Sequence, residues 1–225
     1  MVPRDFEALT RQRAARARLL AGRYPAAREA LLFCAEIFEF QASVDPERPL
    51  AAWSELAAVV AMIGPQPLRE AVKTFDEAML DAYLADPSAG DATRNFFARV
   101  LLQPVMYASR APCPACDVAP QVACLWPVGD GTALSLVCSL CLRESPLARE
   151  RCLACADPAI AWYSAEGLEH VQVRVCERCR AYLHVVDLSK DPAAIPDVDE
   201  LAALPLDVWA RERDYRKIQV NLVGA

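Results

Sequence analysis

The chain has little histidine and glycine, no long apolar run and no excess of positive charge. Two histidines among 225 residues leave few near-neutral bases. Neither His170 nor His184 stands in a nucleophile or metalloprotease context, and no glycine-rich phosphate loop is present. These absences argue against an enzyme. No stretch of eighteen apolar residues exists, so no transmembrane helix is expected. The apolar segment around Phe96–Tyr107 is short and carries Arg99. The first twenty-two residues are arginine-rich without an apolar centre, unlike a secretory signal, so a cytoplasmic protein is expected. The net charge of −6 argues against a protein built to coat nucleic acid. With 55% hydrophobic and 24% charged residues, wholesale disorder is excluded.

What is abundant is cysteine, ten in all. Only Cys34 precedes residue 112, and the other nine lie between Cys113 and Cys179. Thiols stay reduced in the cytoplasm, so a disulfide framework is not expected. The compositional shift predicts α+β architecture: an all-α N-terminal domain, then two tandem rubredoxin-like or zinc-ribbon β modules. The expected boundaries are 1–108 for the helical domain, 109–146 and 147–187 for the two modules, and 188–225 for a C-terminal extension.

The helical half is rich in Ala, Leu, Arg and Glu and is punctuated by proline and glycine. Helices are expected over roughly 4–21, 26–43, 50–63, 67–85 and 91–107, with Asp91 as an N-cap. In the second of these, Leu31, Cys34, Ile37, Phe38 and Gln41 recur on one face, which makes Cys34 a small core residue. After residue 112 the helical period gives way to β-type runs: Val122–Pro127, Ala133–Cys138, Ile160–Tyr163, Val171–Cys176 and Tyr182–Val186. Cys124 alternates with Val122 and Trp126 and reads as strand core. Beyond residue 187 the chain is acidic, with linker-like Lys190-Asp191-Pro192 and Ile195-Pro196. One amphipathic helix within Val198–Arg213 would place Leu201, Leu204, Val208 and Trp209 on one face.

Eight cysteines form four pairs of identical internal spacing: Cys113–Cys116, Cys138–Cys141, Cys152–Cys155 and Cys176–Cys179. The first two pairs are 21 residues apart, the last two 20, and the middle gap is ten. The natural grouping is two sites of four cysteines each. Two intervening residues let a tight turn aim both sulfurs at one point, and a hairpin of about 20 residues returns the chain to complete a tetrahedral shell. Such a site suits zinc or iron alike. Four thiolates leave no open coordination position, which marks a structural metal. Glycine would suit the backbone just after each second cysteine. Here those positions are Asp117, Leu142, Ala156 and Arg180.

Two rival functions remain, a metal-based redox sensor and a nucleic-acid-binding tandem zinc-ribbon protein. The second is disfavoured by charge. Residues 109–186 hold seven arginines and no lysine against eight carboxylates, a net of −1. The run Arg149, Arg151, Arg174, Arg178 and Arg180 is a local exception, readable as an anion patch or as scattered solvated charge.

The strings C-P-x-C, C-S-L-C, R-C-x-x-C and C-E-R-C-R-A-Y-L-H resemble the FdhE family of formate dehydrogenase accessory proteins. So do Lys190-Asp191-Pro192, Asp199-Glu200-Leu201-Ala202, Leu206-Asp207 and the closing Tyr215 and Asn221. The resemblance covers residues 113–225. It implies a cytoplasmic assembly factor that binds the catalytic subunit of a molybdenum- or tungsten-dependent formate dehydrogenase during maturation. It also implies that the eight paired cysteines are the site residues, holding zinc or iron.

Overall fold

In the computed structural model the described residues are 4–86, 91–109 and 118–224. They form an α+β fold in which helices precede a mixed β-sheet. The helical part comprises α1 (Arg4–Arg23), α2 (Arg28–Ser43), α3 (Trp53–Ile63), α4 (Gln66–Ala71), α5 (Ala78–Ala85) and α6 (Ala92–Ala108). Cys34 is fully buried on α2 beside Leu31, Ile37 and Phe38, as its spacing implies. Burial pushes its thiol pKa up to about 12, which makes it inert.

The helix expected over 67–85 is broken. Phe75 is extended at φ −65°, ψ 133°. Its ring stacks on Trp53 with centroids 3.7 Å apart and meets the edge of Phe97 at 5.9 Å. Asp76 then accepts from the Ala78 N–H at 3.2 Å to start α5. Aromatic burial and a local cap outweigh helix propensity here. Asp91 caps α6 as predicted, accepting from the N–H groups of Thr93 and Arg94, each at 2.9 Å. Pro104 lies inside α6. It has no N–H to offer the Val100 carbonyl. Gln41 Nε2 takes that place, donating to Val100 O at 3.0 Å.

The strands are β1 (Pro120–Val128), β2 (Gly131–Cys138), β3 (Glu144–Pro146), β4 (Ile160–Ser164), β5 (Val171–Cys176) and β6 (Ala181–Asp187). After these come α7 (Pro196–Ala202), α8 (Leu204–Arg211) and a two-residue β7 (Arg216–Lys217). Five strands fall where the sequence places them. Among the described residues all seven lie in one sheet, ordered β3-β2-β1-β6-β5-β4, with β7 against β6. The two expected hairpin units thus share a sheet. The join is the parallel pairing of β1 with β6, which sets Val122 beside His184 and Leu125 beside Asp187. Val122, Cys124, Tyr182 and Val186 face one cluster that runs on into the helices. Ala123, Leu125, Leu183 and Val185 face a second, smaller cluster. That alternation is the period of a strand buried on both faces. Cys124 is strand core, 0% exposed, with its thiol pKa also raised to about 12 by burial.

The single helix expected within 198–213 is two short ones, and Val208 is 55% exposed rather than on an inner face. The extended-linker reading of Lys190-Asp191-Pro192 and Ile195-Pro196 is corrected as well: the Lys190 and Asp191 N–H groups bond Asp187 O in a turn, Asp191 is ion-paired with Arg16, and Pro196 opens α7. The acidic residues of α7 and α8 face inward. Asp199 and Glu200 are fully buried, and Asp207 is 1% exposed. Arg13 of α1 pairs with Asp197 at 2.5 Å, and Arg16 pairs with Asp199 and Asp191, each at 2.5 Å. Lys217 of β7 stands 2.5 Å from Glu200 and 3.1 Å from Asp207. The arginine-rich α1 and the acidic α7 are therefore complementary halves of one internal contact. An uncompensated buried carboxylate would be costly, so each must meet its cation.

Candidate metal centre

Each of the three cysteine pairs among the described residues sits on a tight turn at a strand end. Cys152 and Cys155 precede β4, Cys176 ends β5, and Cys179 precedes β6. The β4–β5 hairpin, registered Ile160 to Cys176 and Ser164 to Gln172, folds the second turn back over the first. The four sulfurs lie within 4.8 Å of one another. Cys152 Sγ is 3.6 Å from Cys179 Sγ, and Cys155 Sγ is 3.6 Å from Cys176 Sγ. Four sulfurs placed tetrahedrally at about 2.3 Å from one ion stand about 3.8 Å apart, so the group fits a single tetrathiolate metal.

The turns share a backbone signature. Leu142, Ala156 and Arg180, each just after a second cysteine, have φ of 57°, 59° and 60°. Their N–H groups donate to Cys138 O at 3.2 Å, Cys152 O at 2.9 Å and Cys176 O at 2.9 Å. The positive φ anticipated there is present although none of the three is glycine. Backbone N–H···S contacts follow the same plan. Ala154 N–H points at Cys152 Sγ at 3.3 Å, and Leu140 N–H points at Cys138 Sγ at 3.5 Å. Burial raises the Cys176 thiol pKa, but the backbone N–H groups of Cys179 and Arg178 outweigh it and bring it down to about 7. Such N–H donors favour the thiolate, the form that binds metal.

Cys138 and Cys141 are 3% and 2% exposed on the second knuckle. Their expected partners, Cys113 and Cys116, lie outside the described residues. The second knuckle is anchored to the helices: Gln103 of α6 donates to Ser139 O at 2.8 Å and accepts from Gln41 Nε2 at 2.9 Å. Arg143 donates to Tyr107 O at 3.2 Å.

The arginine run is drawn into local bonds. Arg174 is 3% exposed and donates to Arg149 O at 3.1 Å and Arg151 O at 2.5 Å, holding the approach to Cys152. Burial lowers its pKa below the ordinary arginine value, outweighing the opposite pull of Cys152 and Cys176 beside it. Arg149 bonds Thr132, Arg178 faces Asp157 at 3.4 Å, and Arg180 lies 3.7 Å over the Tyr215 ring.

A second cluster, His170, Asp191 and Asp199, has ligand atoms as close together as those of the cysteine group. Arg16 already supplies its cation, bonding both carboxylates, and His170 bonds Asp199 at 2.8 Å. Burial disfavours the Arg16 charge, but the bonds to Asp199 and Asp191 outweigh it and raise its pKa. His184 is fully buried with ring nitrogens 3.7 Å from Glu200 and 3.5 Å from Asp207. His170 is itself 7% exposed. The internal partners of α7 were not legible as functional from the sequence; the only signal was the i,i+3 spacing of Arg13 and Arg16 in a helix where alanines share the inner face.

Among the described residues, no helix is long and apolar enough to cross a membrane. Helices packed on a mixed sheet, with a tetrathiolate group at its strand ends, define a cysteine-knuckle scaffold able to hold a metal ion. The resemblance drawn from the sequence is met by direct matches. Residues 150–223 match the family model "FdhE, C-terminal domain". A "Protein FdhE homolog" of Aquifex aeolicus (strain VF5) is 28% identical over 162 residues, 65% of this chain and 57% of that protein. One from Pseudomonas aeruginosa is 32% identical over 127 residues, 52% of this chain and 40% of its own length. The chain thus spans under two thirds of these relatives. The crystal structure of the FdhE protein from Pseudomonas aeruginosa superposes with a TM-score of 0.72 at 21% identity, covering 96% of this chain and 95% of the other. At that identity the likeness is one of fold.

Proposed function

We propose that this chain is an accessory factor in the maturation of a molybdenum- or tungsten-dependent formate dehydrogenase, binding its catalytic subunit rather than catalysing a reaction. The observation that carries this reading is the match to the FdhE C-terminal domain over the stretch that builds the tetrathiolate group. The chemistry agrees with it. A closed four-thiolate shell offers no site for substrate, and a metal held there supplies folding energy to the hairpins around it. The chain's own residues do the rest. The knuckle N–H groups favour thiolates, Arg174 offsets their charge, and the Arg13, Arg16 and Lys217 pairs lock α1 and β7 onto α7.

We further infer that Cys113 and Cys116 complete a second four-cysteine site with Cys138 and Cys141. The support is the second knuckle, which repeats the positive φ, the N–H to first-cysteine carbonyl bond and the N–H···S contact of the tetrathiolate turns. Zinc and iron both suit such shells. Co-purification with a tagged formate dehydrogenase catalytic subunit tests the function. Enrichment over an unrelated molybdoenzyme is expected, and equal recovery would contradict it.

A further inference from the structure

Four arginines are buried among the described residues: Arg13, Arg16, Arg99 and Arg174. A buried guanidinium is costly unless an anion stands beside it. Arg13 and Arg16 meet theirs in the carboxylates of Asp197, Asp199 and Asp191. The bonds of the other two go to neutral oxygens. Arg174 donates to the carbonyls of Arg149 and Arg151. Arg99 donates to Val220 O at 2.8 Å and to Gln121 Oε1. In both side chains Nε is buried without a hydrogen-bond partner.

What these two arginines share is a cysteine knuckle. Arg174 stands on β5, two residues before Cys176, and its carbonyl bonds hold the chain just ahead of Cys152. The groups that favour its charge are those same two cysteines. Arg99 stands on α6, one turn before Gln103, which holds the second knuckle at Ser139 O. Burial lowers the Arg99 pKa, and Tyr83, Glu200 and Cys138 pull the other way. Glu200 is reached through Gln121, whose Nε2 donates to it at 2.8 Å, and it already has Lys217 at 2.5 Å. Four thiolates around a divalent ion carry negative charge in excess of the metal's. A loaded four-cysteine site is therefore the anion that each of these arginines otherwise lacks.

We propose that Arg174 and Arg99 are the charge-compensating residues of the two four-cysteine sites: Arg174 for Cys152, Cys155, Cys176 and Cys179, and Arg99 for Cys113, Cys116, Cys138 and Cys141. Neither supplies a ligand. Each is a positioning residue that lowers the electrostatic cost of gathering four thiolates at one point. The inference rests on the two-site reading above and adds which residue of each site answers its charge.

The test uses the full chain, purified without oxygen and loaded with cobalt(II), whose thiolate absorption follows both sites while a chelator competes. Cys176→Ser and Cys138→Ser identify which ion belongs to which site. Arg174→Met should weaken the ion lost in Cys176→Ser about ten- to hundredfold and leave the other unchanged. Arg99→Met should do the same to the ion lost in Cys138→Ser. Arg174→Lys and Arg99→Lys should recover most of the affinity. Loss of packing or of the carbonyl bonds would not be repaired in this way, because lysine lacks the guanidinium fork. With iron in place of cobalt, the midpoint potential of the first ion should fall in Arg174→Met and return in Arg174→Lys, since a nearby cation favours the more negative, reduced site. Unchanged affinity in Arg174→Met, or equal losses in the Met and Lys variants, would overturn the proposal and leave the site itself standing. Full metal retention in Cys176→Ser would overturn the site and the proposal together.

Discussion

The hydroxyl of Tyr215 donates to Glu177 at 2.7 Å, and Glu177 stands between Cys176 and Cys179. The same knuckle holds the C-terminal segment through its backbone. Arg216 N–H donates to Arg180 O at 2.7 Å, and Ile218 N–H donates to Tyr182 O at 3.0 Å. Burial, and then Glu177, push the Tyr215 hydroxyl pKa up to about 12, so it remains a donor at neutral pH. The turn that presents two sulfurs is thus also the dock for β7, and β7 carries Lys217 into the buried carboxylates of α7 and α8.

Removal of metal should therefore loosen a segment that supplies no ligand. After chelation, the Arg216 and Ile218 amides should lose protection in hydrogen exchange. Trp209, stacked with Tyr215 at 6.1 Å, should shift its emission to longer wavelength. Unchanged protection in metal-free protein would show that the knuckle holds its shape alone.

Ala156 adopts φ 59° with a side chain present. Ala156→Val should weaken metal retention and lower stability by about 1–3 kcal/mol, because a β-branched residue resists this region. Ala156→Gly should be neutral or mildly favourable. Urea unfolding combined with metal titration of both variants checks the order.

Gln41→Leu should cost about 1–3 kcal/mol. It strands the Val100 carbonyl, which Pro104 cannot serve, and it breaks the chain of bonds from Arg13 through Gln103 to Ser139. Denaturant midpoints read the loss. A change within the error of the measurement would mean that the network contributes nothing.

Glu200 is fully buried. Burial raises its pKa, but Lys217 and His184 outweigh it and hold the carboxyl down to about 2, below its ordinary value of 4.5. Its contribution is therefore complete above about pH 4.5 and is lost as pH falls towards 2. Glu200→Gln should be less stable at neutral pH, where it leaves Lys217 short of charge, and should show a shallower decline with acid. Unfolding free energies measured across that window give the comparison.

Much of this molecule is legible in its sequence because its signals are local. Strand alternation places Val122–Pro127 and Val171–Cys176, and the repeated two-residue spacing brings Cys152, Cys155, Cys176 and Cys179 to one point. The parallel pairing of β1 with β6 is not legible, because nothing in a strand's own pattern names its distant neighbour. Nor is the inward turn of Asp199 and Glu200. Acidic residues read as solvated until their cations are located, and those cations lie on α1 and β7, outside the helix that carries the carboxylates. The break at Phe75 is a tertiary choice made by Trp53 and Phe97.

The most direct test of the account is a count of metal ions in anaerobically purified protein, beside the Cys138→Ser and Cys176→Ser variants. The account predicts two ions per chain in the parent protein and one in each variant. Full metal content retained in either variant would contradict it.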